Sequence, residues 1–383
     1  MKNSNLIKSL LGRRIKQSEL SGHQKNALHV FFKGAIKSGS LMPTKVGRSV
    51  ATMGKKKIRQ SSGAQRMCEF FNNKALKISV LSKILLSLFI YRIREKTCIV
   101  LAIDWTVIRN KFYLFSVSLV ENEGRSIPIL FGGFLKLAKS GDETMPMIEQ
   151  KVLGDVLAVV PAGITVHVLA DRGFDSPRTL RFIENRKAFY IIRASVGTWI
   201  KNQRGKRRKV KQSLVKRRGM AAYRNIEYSE SYPVTTNLLC VWEYRQNEPW
   251  LLLTNDPFLS VKDAASLYAK RMRIEEMFKS LKNEQTGFDV KKVRIRSIDN
   301  WLRFMLVSAI LFNVLYQVGE RLREIPRIEQ FFSVSSRPPK NQAWIFAIYT
   351  LAQLVLVSDF IQLRHRGGAL FFRENRDQEW KRF

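Results

Sequence analysis

The sequence predicts an α/β fold: a mixed sheet with helices in the middle of the chain, a β-rich insertion within it, and helical segments on either side. Three observations carry this reading. Two continuous apolar runs, Cys98–Ile103 and Ile164–Ala170, each lead directly into an aspartate, Asp104 and Asp171, and apolar runs of that length read as buried strands. Further strand-like stretches bounded by turn residues lie around them. The flanking segments Ala75–Tyr91 and Trp301–Val318 are richly apolar over helical lengths.

Taken in order, residues 1 to about 95 read as short helices joined by turns, with breaks at Gly34, Ser38-Gly39-Ser40, Pro43, Gly47 and Gly54. From Thr97 the pattern becomes β. Cys98–Ile103, Lys111–Val120 and Ser126–Phe131, with a turn over Glu121–Gly124, make a three-strand meander. Met145–Val160 reads as a helix closed by Pro161-Ala162-Gly163, and Ile164–Ala170 as a strand. Ser176-Pro177 opens a helix to about Arg186, with proline at the favoured first position. Phe189–Ile192 is a fifth strand. Three strands, a helix, a strand, a helix and a strand is the order of the ribonuclease-H-like fold. It puts Asp104 and Asp171 at strand ends, where side chains can build a site. The insertion, about 195–255, begins with a basic loop, Lys201–Arg218, of ten Lys/Arg and no acid. The strand-like runs Tyr223–Glu227, Thr236–Tyr244 and Trp250–Thr254 follow. A helix opens near Ser260 and runs to about Lys282, with Gly287 marking its end. From about Ser297 the chain reads as helical, with apolar faces in Trp301–Val318 and Trp344–Phe360.

Charge narrows the function. The 383 residues carry a formal net charge of +36, far beyond what solubility needs, and nucleic acid is the commonest partner of such a surplus. A ribosomal-type binder or a membrane-surface protein would share it. Residues 1–94 hold 20 Lys/Arg against two acids, Glu19 and Glu69. With 45% apolar residues the chain is globular and not a basic tail. Cys68, Cys98 and Cys240 show no pairing pattern, and with His23, His29, His167 and His365 they form no zinc spacing. A reducing compartment follows. Met1–Leu20 lacks the apolar core of a signal peptide. The runs Phe304–Val318 and Trp344–Val357 are short and carry Asn313, Gln317 and Gln353, which suits core helices better than membrane spans.

The segment Tyr268–Lys282 is the most informative. At about 100° per residue, Tyr268, Arg271, Glu275 and Lys282 fall within roughly 60° of one another on a single helix, and Glu276 falls outside that stripe. A solvated face with an Arg271–Glu275 ion pair has the same spacing. Beside Asp104 and Asp171 the stripe takes on another meaning. Three carboxylates converging on one place resist ionisation, and divalent cations, which take oxygen ligands, relieve that repulsion.

These segments resemble the DDE transposases of bacterial insertion sequences, in the cut-and-paste group with the signature Y-x2-R-x3-E-x6-K. Tyr268, Arg271, Glu275 and Lys282 meet it in full, and Val168-Leu169-Ala170-Asp171-Arg172-Gly173-Phe174-Asp175 fits the second-aspartate motif. Leu101-Ala102-Ile103-Asp104-Trp105-Thr106 matches the first more weakly. The resemblance covers roughly residues 95–320. It implies a catalytic and metal-binding triad of Asp104, Asp171 and Glu275 holding two Mg²⁺ ions, with Mn²⁺ able to substitute. Tyr268, Arg271 and Lys282 would serve DNA phosphates, and a tryptophan of the insertion would take a base flipped from the stack. Trp250 stands in the matching context, with Trp242 in reserve; a core tryptophan on an apolar strand is the competing reading of Trp250. The implied reactions are nicking at the element's end, hairpin formation, hairpin opening and joining to target DNA. The implied partners are double-stranded DNA and a second protomer in a synaptic complex, in the bacterial cytoplasm. The division expected is a DNA-binding segment 1–95, a catalytic segment 96–290, and a helical segment 291–383 for dimerisation.

Other residues carry plainer expectations. Asp175 reads as a helix-start residue before Ser176-Pro177. Arg172 is either structural or phosphate-facing. Trp105 and Trp199 read as core aromatics, and His167 as a buried, hydrogen-bonded strand residue. Two rival functions remain open: a transposase-derived DNA binder without catalysis, and a ribonuclease-H-like nuclease that only hydrolyses.

Overall fold

The computed structural model describes residues 15–53, 58–121, 126–135, 144–213, 215–243, 247–282 and 290–323. The expected turn at Glu121–Gly124 lies largely outside the described residues. So do Gly54, Gly287 and the helix expected over Trp344–Phe360.

The basic N-terminal segment is helical: α1 (Gly22–Ser38), α2 (Pro43–Ala51), α3 (Gln60–Asn72) and α4 (Ile78–Ile93). Ser21 caps α1 through a reciprocal pair with Gln24. Gly39, at φ 57°, ends it in the left-handed conformation that glycine adopts without strain. Two of the expected breaks are corrected. Gly34 and Gly47 lie inside α1 and α2. A Cβ on Gly47 would stand 2.2 Å from the Gly63 carbonyl oxygen of α3, and one on Gly34 would stand 2.6 Å from Val50. These glycines let helices cross at backbone contact and do not make turns.

The sheet has ten strands: β1 (Cys98–Ile108), β2 (Phe112–Val120), β3 (Ile127–Leu135), β4 (Thr165–Ala170), β5 (Phe189–Arg193), β6 (Trp199–Lys201), β7 (Arg207–Lys209), β8 (Met220–Tyr228), β9 (Val234–Val241) and β10 (Trp250–Thr254). Their spatial order is β3-β2-β1-β4-β5-β10-β9-β8-β6-β7. β1, β2 and β3 form the antiparallel meander, and β4 and β5 join β1 in parallel. That half has the strand order expected of a ribonuclease-H-like core. The insertion extends the same sheet, because β10 pairs antiparallel with β5. The basic loop expected over Lys201–Arg218 is in part a hairpin arm, since β7 within it pairs with β6, which ends at Lys201.

Alternation along the strands gives the sheet two apolar faces. Leu169, Ile191, Leu239 and Leu252 face Ala264 and Tyr268 of helix α7 (Val261–Ala269). The other face belongs to the main core, with helices α5 (Met145–Ala158) and α6 (Pro177–Asn185). Ser176 caps α6 with Pro177 at its start.

Two further helices follow: α8 (Met272–Lys282) and α9 (Ile298–Arg323). The second is long and apolar enough to cross a membrane, yet 78% of that stretch is buried within the protein. Asn313 donates to the Pro128 carbonyl of β3. Arg303, buried, donates to the Leu76 carbonyl, and Phe304 meets Phe71 edge-on at 5.3 Å. α9 thus joins the N-terminal helices to the sheet in one continuous apolar core.

Candidate active site

The register of the parallel pair β1–β4 positions the two aspartates. Pairing ends at Ala102↔Leu169. Each chain continues two residues to its aspartate, so Asp104 and Asp171 keep the facing of Ala102 and Leu169. Both come from neighbouring strands on the face covered by α7. Asp171 directly follows β4, as expected. Asp104 does not end its strand: β1 runs on to Ile108 beside β2. It is the shorter β4 that leaves Asp104 uncovered on one side.

Local backbone fixes each carboxylate. Asp104 Oδ1 accepts from the Trp105 amide at 2.8 Å. Asp171 Oδ1 accepts from the Gly173 amide at 2.9 Å and starts a short 3₁₀ turn. A Cβ at position 173 would come 3.1 Å from that oxygen. Trp105 points to the other face, against Phe115 and Phe134, and donates to Glu149 of α5 at 2.7 Å.

The helix expected to carry Tyr268 through Lys282 is broken. α7 ends at Ala269 and α8 begins at Met272. Between them the amides of Lys270, Arg271, Arg273 and Ile274 each bond the carbonyl three residues back. This tightening changes the helix path, so the single wheel that grouped the four signature residues does not apply. The break still brings them to the aspartates by separate routes. Arg271 Nη2 donates to Glu275 at 2.6 Å, and its Nη1 stands 3.9 Å from Asp104 Oδ2. Glu276 pairs instead with Lys279 at 2.6 Å on the exposed side. Lys282 Nζ donates to Thr106, two residues along β1 from Asp104 on the same face. Tyr268 is buried under the Arg271 guanidinium, 5.9 Å away, and burial pushes its hydroxyl up. Trp250 meets the Tyr268 ring edge-on at 5.0 Å. Trp242 follows Val241, the residue paired with Trp250, by one place in the chain.

Electrostatics tie the carboxylates together. Burial, then the nearby Asp171 charge, pushes Asp104 up from 3.8 to about 6; Arg271 and the Trp105 amide oppose this, and Glu275 adds to it. An all-oxygen donor set under mutual repulsion suits a hard divalent cation. Among the described residues no three of His, Cys, Asp and Glu form a ready-made metal cage. The positive charge between Asp104 and Glu275 is the Arg271 guanidinium.

Several residues beyond the expected triad and helix stripe belong to this region. Thr106 holds Lys282. Arg193 and Arg172 both reach Glu248. Asp175 does more than start a helix, since Ser176 is the cap. Its carboxylate accepts from the Ser195 amide at 2.6 Å and from the Tyr228 hydroxyl, binding the second-aspartate motif to the insertion. These contacts span 20 to 176 residues of sequence, beyond any local pattern. His167 is buried as expected, bonded to Asp256 at 3.1 Å and stacked on Phe189. Trp199 is corrected: it is 41% exposed, beside Lys209.

Residues 148–313 match the family model of the transposase DDE domain. The match supports a DDE transposase, an enzyme acting on DNA. It spans Asp171, Trp250, Tyr268, Arg271, Glu275 and Lys282. Asp104 precedes the matched segment and is connected to it through the β1–β4 register. No curated protein matches the chain.

Proposed function

We propose that this transposase serves a bacterial insertion sequence of the cut-and-paste group with the Tyr-Arg-Glu-Lys signature. In this reading it binds the terminal inverted repeats, excises the element through DNA hairpins and joins it to target DNA. The observation that carries the reading is the presentation of Asp104 and Asp171 from adjacent parallel strands, on the face where Arg271 holds Glu275.

Asp104, Asp171 and Glu275 would hold two Mg²⁺ ions, or Mn²⁺ in their place. Such ions neutralise charge on the attacking and leaving oxygens of an in-line displacement. The chain's own residues supply position. Released from Glu275, the Arg271 fork matches phosphate oxygens in a bidentate way, and Lys282 acts as a point charge. Thr106 fixes where that point charge sits. Trp250 would line the place of an extruded base, where an aromatic ring can stack. Residues 1–95 would bind the element's ends, with phosphate contacts from Lys201–Arg218. Residues 291–383 would join two protomers for synapsis, in the cytoplasm beside the nucleoid.

Incubation of the protein with Mg²⁺ and DNA carrying the element's ends tests this. Hairpin-ended fragments and joined target DNA are the expected products. Nicks and hydrolysis alone would favour a plain nuclease, and binding without cutting would favour a transposase-derived binder.

A further inference from the structure

Next to the triad, one carboxylate oxygen is shared by two arginines. Arg172 follows Asp171 directly, Arg193 ends β5, and Glu248 stands just before β10. Glu248 Oε1 lies 2.7 Å from Arg193 Nη2 and 3.4 Å from Arg172 Nη2. Arg193 Nη2 also reaches the Pro249 carbonyl at 3.5 Å. The register explains the location. Ala170 lies opposite Ile192, and Leu252 opposite Arg193, so Arg193 and the residues preceding β10 lie towards the Asp171 end of the sheet.

Two guanidinium groups aimed at one point repel each other unless an anion lies between them. Here the anion is the protein's own. The Arg193 hydrogen bond, foremost, holds the Glu248 carboxyl below the usual range, so it is charged at neutral pH. The Glu248 side chain is 58% exposed, whereas that of Arg193 is 17% exposed. The anion position is open to solvent while one of its cations is held in place. A phosphodiester presents two oxygens to such a fork and matches it better than a single carboxylate oxygen. An exposed ion pair contributes little, so its replacement costs little.

We propose that Arg172 and Arg193 form a clamp for a DNA backbone phosphate beside Asp171, and that Glu248 is an internal anion occupying the clamp until DNA displaces it. The proposal rests on the reading of the chain as a DNA-processing enzyme.

The test measures binding of the full chain to a fluorescent random-sequence duplex, with divalent metal chelated, over a series of salt concentrations. Glu248→Gln keeps the size and removes the charge; it should tighten binding about two- to fivefold, the worth of an exposed ion pair. Arg172→Gln and Arg193→Gln should each weaken binding and flatten its salt dependence. In the Arg172→Gln/Arg193→Gln background, Glu248→Gln should give no gain. An equal gain in that background would mean a general charge effect and would overturn the clamp, as would unchanged or weaker binding by Glu248→Gln alone. If thermal melting shows that Arg193→Gln does not fold, Arg193→Lys replaces it: weaker binding despite the kept charge supports the fork, and equal binding overturns it. Because no metal or cleavage is involved, failure of the hairpin assay would sink the excision reading and leave this result intact.

Discussion

Arg271 and Glu275 are joined at 2.6 Å, and the other arm of the same guanidinium lies 3.9 Å from Asp104. One tethered cation therefore spans two carboxylates of the proposed triad. Asp104→Asn, Asp171→Asn and Glu275→Gln should each lower strand cleavage by on the order of 10²–10³-fold or more, with DNA binding retained. Glu276→Gln should stay within a fewfold of the parent, because that side chain pairs outward with Lys279. Cleavage assays paired with binding isotherms separate the two sets. A dead Glu276→Gln beside an active Glu275→Gln would refute the assignment.

Asp104 also makes stability depend on pH. Its folded value of about 6 lies above the ordinary 3.8. Below about pH 4 the group is protonated in both folded and unfolded chains, and the full contribution is present. As pH rises through 6 the folded protein must hold a buried charge, and that contribution is lost. Without divalent metal, Asp104→Asn should therefore be more stable than the parent at pH 7, by on the order of 1–3 kcal/mol. Urea melts from acid to neutral pH measure this. The same pH slope in parent and variant would count against it.

Thr106 should act through Lys282. Thr106→Val removes the hydroxyl that Lys282 contacts and keeps the strand's shape. Hairpin formation or opening should slow, by less than in Lys282→Ala, with end binding unchanged. Normal hairpin kinetics in Thr106→Val, beside a strong defect in Lys282→Ala, would remove Thr106 from this role.

Trp250 sits half-buried against Tyr268 at the start of β10. A base-capturing role predicts that Trp250→Ala folds and nicks normally but makes hairpins poorly, with partial rescue by an abasic site at the flipped position. A packing role predicts a lowered melting temperature and loss of every step together. The present contact with Tyr268 makes a modest melting shift expected in either case, so the abasic rescue decides.

Gly47→Ala tests the helical N-terminal segment. The added methyl would meet the Gly63 carbonyl at 2.2 Å, backbone against backbone with no flexible side chain to yield. Destabilisation of about 3 kcal/mol is expected, at the upper end for overpacking. Thermal unfolding measures it, and an unchanged midpoint would mean that α2 and α3 can separate freely.

Local pattern carried the strands and much of the site's location. Apolar runs ending in aspartates revealed β1 and β4, and the fixed spacing of Tyr268, Arg271, Glu275 and Lys282 drew attention to a segment that the structure brings against Asp104. What failed was anything set by distant packing. The break between Ala269 and Met272 has no proline or glycine to announce it. Asp104 lies mid-strand because β2 continues beside it while β4 stops, a relation between strands that no single run contains. Gly34 and Gly47 signalled turns by composition, and only the helices crossing at them reveal their purpose. Arg193 and Glu248 are unremarkable in sequence and meet through the β5–β10 pairing.

The continuity of that pairing has an evolutionary side. β5 would otherwise be the last strand of the core, with a row of unpaired backbone groups inviting another chain, the usual route to aggregation. β10 closes that row, and the sheet's far end falls on β7, whose residues Arg207, Arg208 and Lys209 deter strand addition by charge. Removing the insertion would expose that edge of β5 again. A shortened descendant would need a new cover for β5 before it could survive as a soluble protein, which ties whatever the insertion contributes to DNA handling to the solubility of the whole chain.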